Sequence, residues 1–247
     1  MRGYRLWRML RIALLMFASV MFTACGGGGG GSGGGGGTTV ANLQGTWFGA
    51  YQVGTSFLTI AVDVNANGQI TDIRQNGTTL GVTGTLAHVQ GNIFSFQLSD
   101  GTQGGFMTDS SAMHAGFLDE NGSIGALQKG ASALPVYAST DVVGSWSGYS
   151  LELDNSFNIT ATGSSTATVN SSFQITGTDM NGPFTGTIQT FSNGFGAYGG
   201  IWSNSSASGN LIAWISGDRS FAAAWACAGS VQFPVSIPDC SFGIWNK

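Results

Sequence analysis

The sequence predicts an all-β fold made of two tandem antiparallel up-and-down meander units, each a small barrel or sandwich. Three observations carry this. Gly45-Thr46-Trp47-Phe48-Gly49 recurs as Gly144-Ser145-Trp146-Ser147-Gly148. Apolar and polar residues alternate with period two, as strands with one buried face require. Turn pairs such as Asn67-Gly68, Asn76-Gly77, Asn121-Gly122 and Asn181-Gly182 punctuate the chain at the spacing of short hairpins.

The first unit is placed at residues 41–130, a linker containing Pro135 at 131–141, and the second unit at 142–247. Further matches keep the chain order. Ser56-Phe57 pairs with Ser156-Phe157 and Gly84-Thr85 with Gly186-Thr187. Gly104-Gly105 followed by Ser110-Ser111-Ala112 pairs with Gly199-Gly200 followed by Ser205-Ser206-Ala207. Within the first unit Leu58, Ile60, Val62 and Val64 fall on one strand face, and Phe94, Phe96 and Leu98 on another. Up to eight short strands fit in each unit. A Gly-x-Trp in the first strand of such a meander, here Gly45-x-Trp47 and Gly144-x-Trp146, resembles lipocalin-type barrels. That resemblance implies that Trp47 and Trp146 each close one end of a barrel. Side chains alone can also fill a small barrel, with no ligand inside.

At the N-terminus Arg2, Arg5, Arg8 and Arg11 precede an apolar run, Ile12 to Phe22, too short to span a bilayer. Residues 1–24 therefore read as a signal peptide. Phe22-Thr23-Ala24-Cys25 resembles the lipobox of bacterial lipoproteins, which implies cleavage before Cys25, acylation of that cysteine with palmitate-type chains, and a membrane anchor. Gly26, in place of the Asp that retains such proteins at the inner membrane, implies the outer membrane, with the periplasmic and cell-surface sides both open. Residues 25–40 are then a lipidated cysteine and a Gly-rich flexible tether. Its Gly26–Gly37 stretch, broken only by Ser32, spans on the order of 20 Å. Beyond residue 24 four basic residues face twelve acidic ones, which excludes a nucleic-acid partner held by a basic surface.

Chemistry-bearing residues are sparse. Cys227 and Cys240 form an isolated even pair in an exported chain, which predicts a disulfide closing the C-terminal segment. Asp63, Asn65 and Asn67 follow the spacing of a calcium loop, but Arg74 stands where its last carboxylate belongs, so they are only a weak calcium alternative and no metal site or cofactor is expected. His88 and His114 are the only histidines. Asp109, Ser110, Ser111 and Asp119 lie near His114 in sequence, yet no Gly-x-Ser-x-Gly elbow presents a nucleophile, and no catalytic residue is assigned. The segments around Leu211 to Ile215 and Phe221 to Ala226 are apolar on both faces. Such a hairpin must meet a second layer, whether the first unit, another chain or a ligand. Leu211, Trp214, Phe221 and Trp225 are accordingly the candidate binding surface. The leading expectation is a lipid-anchored, non-enzymatic interaction or structural module of the cell envelope, with a protein or small apolar ligand as partner. A carrier of a small apolar ligand is the alternative, and a hydrolase comes third.

Overall fold

A computed structural model describes residues 38–153, 159–228 and 240–247. Nine strands make the first sheet: β1 (Gly45–Val53), β2 (Ser56–Val64), β3 (Gln69–Gln75), β4 (Thr78–Thr79), β5 (Gly84–Gln90), β6 (Ile93–Leu98), β7 (Gln103–Thr108), β8 (His114–Asp119) and β9 (Ile124–Lys129). β1 pairs with both β2 and β9, and β3 with both β2 and β5, so the sheet closes into an eight-stranded barrel with the two-residue β4 hanging from β3. The second sheet is a closed barrel of β10 (Gly144–Leu153), β11 (Ile159–Val169), β12 (Gln174–Asp179), β13 (Gly182–Ser192), β14 (Ala197–Asn204), β15 (Ser208–Ile215), β16 (Phe221–Ala228) and β17 (Cys240–Asn246). All pairings are antiparallel between chain neighbours, apart from the closing ones. Both units are barrels, and no sandwich forms among the described residues.

The Gly-x-Trp-x-Gly stretches show why these residues close a barrel. Trp47 is fully buried and donates its indole N–H to Leu43 O at 2.8 Å; Trp146 does the same to Val142 O at 2.8 Å. Each carbonyl belongs to a short 3-10 turn that caps the barrel just before its first strand. Gly45 and Gly144 enter those strands at φ +135° and +142°, where a side chain would be strained. Four residues on, a Cβ at Gly49 or Gly148 would lie 1.9 Å from Ala126 O or Ile244 O of the closing strand. The chain's two lysines stand at the ends of the closing strands, Lys129 as the last residue of β9 and Lys247 just after β17. Lys129 Nζ sits 5.8 Å from the Trp47 ring and donates to Asn42 O at 2.7 Å; Lys247 Nζ sits 5.2 Å from the Trp146 ring and donates to Asp141 O at 2.9 Å.

Strand order also corrects part of the internal match. Gly84 pairs with Ile70 and Gly186 with Ile175, so that correspondence is in step. Gly104-Gly105 lies in β7, the sixth strand around its barrel, whereas Gly199-Gly200 lies in β14, the fifth. The true counterpart of the β7–β8 turn is the β15–β16 turn. Asp109 N–H bonds His114 O and Ala112 N–H bonds Asp109 O; Ser216 N–H bonds Phe221 O and Arg219 N–H bonds Ser216 O in the same pattern. Ala112 and Arg219 both take left-handed backbone, φ +53° and +64°.

Both barrels belong to one compact unit and share a dry face where β8 and β9 pack on β15, β16 and β17. Outward-facing Leu118, Ile124 and Ala126 meet Trp214, Trp225 and Ile244 in a single buried cluster. Counterparts touch counterparts: His114 stacks on Phe221 with ring centres 5.3 Å apart, and the missing Cβ of Gly116 would stand 2.8 Å from Ala223 Cβ. That reciprocity is the signature of a two-fold contact. The Gly116→Val protein should therefore lose about 1–3 kcal/mol, because Ala223 has no flexible end with which to yield. Urea unfolding of the two proteins checks this, and an unchanged midpoint would count against the close packing.

Candidate functional site

Inward alternation in the first barrel lines a cavity of about 210 Å³. Its closed end is Trp47, held edge-on to Phe106 at 5.3 Å. Its wall is aliphatic and aromatic, built from residues such as Ile60, Val62, Leu86, Phe96 and Leu127. At the far end Val53 and Leu80, 41% and 46% exposed, share the rim with Asp100, Thr102, Asp119 and Ser123. These polar groups sit there because two hairpin turns do. Asp100 Oδ1 accepts the Thr102 N–H at 2.9 Å, and Asp119 Oδ1 accepts the N–H groups of Asn121 and Ser123 at 2.8 and 2.9 Å. Burial pushes the Asp119 carboxyl above its ordinary value; bonds from Ser123 and Asn121 oppose the shift and the charge of Asp100 adds to it. Burial likewise raises the Tyr51 phenol, which accepts a hydrogen bond from the Gln75 amide.

A second polar cluster sits at the junction of the barrels. His114 Nδ1 meets Asp109 Oδ2 at 2.9 Å, and Nε2 meets Asp218 Oδ2 of the β15–β16 turn at 2.8 Å. Burial disfavours the imidazolium, but the hydrogen bonds and charges of Asp109 and Asp218 outweigh it and raise its pKa. For Asp109 too, burial is outweighed, by bonds from His114, Ser111 and backbone N–H groups, and its pKa falls. Asp218 is drawn down to about 2, with bonds from Ser216, Ser220 and His114 overriding its burial. Ser220 Oγ lies 3.4 Å from His114 Nε2, so Asp109, His114 and Ser220 follow the order of a carboxylate–imidazole–hydroxyl relay. Relay chemistry needs a free base nitrogen. Here Asp218 occupies Nε2, and the Ser220 hydroxyl donates to Asp218 Oδ1 at 2.8 Å. The arrangement clamps two barrels together and does not activate a nucleophile.

The remaining candidate residues are dispersed. Trp214, Phe221 and Trp225 are at most 1% exposed and covered by the first barrel, while half-buried Leu211 packs into the second barrel's own core. The hairpin's second layer is thus the first unit, and none of its large rings offers open surface. Cys227 and Cys240 are disulfide-bonded across paired positions of β16 and β17. Asp63 accepts from Arg74 and Thr46, and Asn65 Oδ1 accepts the N–H groups of Asn67 and Gln69, so these oxygens serve an ion pair and the β2–β3 turn. No group of three His, Cys, Asp or Glu side chains suited to a metal occurs among the described residues. His88 bonds Gly91 O at 3.0 Å on the exposed β5–β6 turn, and Asp119 stands at the opposite end of β8 from His114. Cys25 and its tether lie outside the described residues.

No protein-family profile matches this sequence, and no curated protein matches it. Among solved structures, a protein of unknown function from the DUF3598 family of Nostoc punctiforme is similar at 10% identity and a TM-score of 0.33, covering 85% of this chain and 99% of that one. The pair of antiparallel barrels resembles the lipocalin-like architecture.

The junction sets a pH dependence. His114 has a raised folded pKa, so its contribution is complete below its unfolded value of about 6.5 and disappears as pH rises through the folded value. Asp109 and Asp218, both depressed, contribute above their unfolded values near 3.8 and lose that contribution on acidification. Stability from the clamp should therefore be greatest between about pH 4 and 6.5. Replacing His114 with Ala should cost about 2 kcal/mol there, a figure held low because Asp218 is 39% exposed to screening water. Unfolding curves measured at pH 6 and pH 9 check this, since the penalty must shrink at the higher pH.

Proposed function

We propose that this protein is a lipid-anchored, non-enzymatic envelope protein whose first barrel carries a small apolar ligand. One observation supports the carrier reading above a purely structural one: the 210 Å³ apolar space between Trp47 and the exposed rim of Val53 and Leu80. An apolar cavity of roughly 150 Å³ already accepts benzene, so this one suits a molecule of one or two rings or a short alkyl chain. The second barrel takes the structural part. Partly buried Trp245 packs against its core with the indole bonded to the buried Ser165 hydroxyl, and its Trp214–Trp225 face is taken up by the junction. The sequence from Arg2 to Gly37 supports the anchor, with Cys25 as the acylated residue and the outer membrane as its place.

Two measurements test this. Naphthalene, titrated by fluorescence, should bind the wild-type chain at one site and fail to bind a Val62→Trp protein, whose new indole fills the cavity. Equal binding by both would remove the carrier reading. Cys25→Ser should move the protein from the membrane fraction to the soluble envelope fraction; continued membrane recovery would remove the anchor.

A further inference from the structure

We infer that the first-barrel cavity selects an amphiphile with a positively charged, hydrogen-bond-donating head group, an alkyl or aryl amine, and discriminates against a carboxylate. The inference rests on the carrier reading and adds the chemistry of the ligand's polar end. The only charged side chains on the cavity wall are Asp100 and Asp119, both at the rim and both oriented by turn hydrogen bonds. No basic side chain pairs with either among the described residues. Arg74 is held by Asp63 at 2.8 Å and Asp72 at 3.3 Å, Arg219 by Asp141 at 2.7 Å, and the two lysines lie over Trp47 and Trp146 at the closed barrel ends. A ligand carboxylate would thus enter beside two like charges with no cation to meet it.

Geometry favours the amine for a positive reason as well. An apolar tail seated against Trp47 leaves its head at the rim, where the Asp119 carboxylate faces inward in line with Ala115 and Phe117 of β8. Asp100 and Asp119 are like charges on one rim, and an ammonium head group there is attracted to both. The hydroxyl of Thr102, on the same wall, offers a further acceptor for its N–H bonds.

Isothermal titration of the intact chain with octylamine, octanol and octanoate at pH 7.5 and low salt tests the inference. Octylamine should bind about tenfold more tightly than octanol, and octanoate most weakly. An Asp100→Asn, Asp119→Asn protein keeps the turn-forming side-chain oxygens, so it should bind octanol as before while losing its preference for the amine. Octanol affinity reports that the barrel is intact. Equal binding of all three probes, tightest binding of octanoate, or a preference that survives in the double variant would overturn the head-group inference and leave the carrier reading standing. Failure of every probe to bind would overturn the carrier reading and this inference with it.

Discussion

Closure of each sheet depends on one backbone contact. The first and last strands of a barrel can run side by side only if nothing projects between them at the crossing, and at Gly49 and Gly148 even one carbon atom would collide with the carbonyl opposite. Once that contact is made, the rest follows. The strand carries its tryptophan inward to the barrel end, the preceding 3-10 turn receives the indole N–H, and the last strand delivers a lysine over the ring. The cavity and the junction are both downstream of it: a sheet left open would expose the wall of the one and splay the strands that form the other.

From identical closure the two barrels diverge through what fills them. Inward positions of the first are mostly branched aliphatic and phenyl groups around Trp47; the second adds a partly buried Trp245 to Trp146, the counterpart of Trp47. Two of the second unit's tryptophans, Trp214 and Trp225, face the junction and not the barrel interior.

Much of the architecture was legible. Alternation in Leu58–Val64 and Phe94–Leu98 marks the inward faces, and the hairpin turns fix the strand count. The Gly-x-Trp-x-Gly stretch marks both barrel entries because it answers to sterics that few other residues satisfy. Elsewhere the chain is so rich in Gly, Ser and Thr that similarity of composition imitates similarity of position, and Gly104-Gly105 matches a stretch in a strand that is not its counterpart. The real counterparts, Asp109–His114 and Ser216–Phe221, are identical at no matched position and correspond through backbone hydrogen bonds and a shared left-handed residue. The cavity has no sequence signature, since its volume is a difference between wall and filling. Asp218 and Ser220 were missed as partners of His114 because more than a hundred residues separate them in the chain. The two lysines carry a usable signal: they are the only ones in the chain, and each stands at the end of a closing strand or just after it.

The near-symmetric junction is also an instrument of partner choice. Its central pair is an imidazole on a phenyl ring, flanked by a carboxylate from each side. Two copies of the first half meeting through the same face would set imidazole against imidazole, and two copies of the second would bury phenyl on phenyl and leave Asp218 without its cation. Each half therefore complements the other and not itself. Neighbouring molecules, each carrying both halves, gain nothing by exchanging them, and the covalent connection keeps the matched halves at high local concentration. Asymmetry at a single stacked pair thus opposes like-with-like pairing of either half, and the covalent connection is what opposes exchange between molecules.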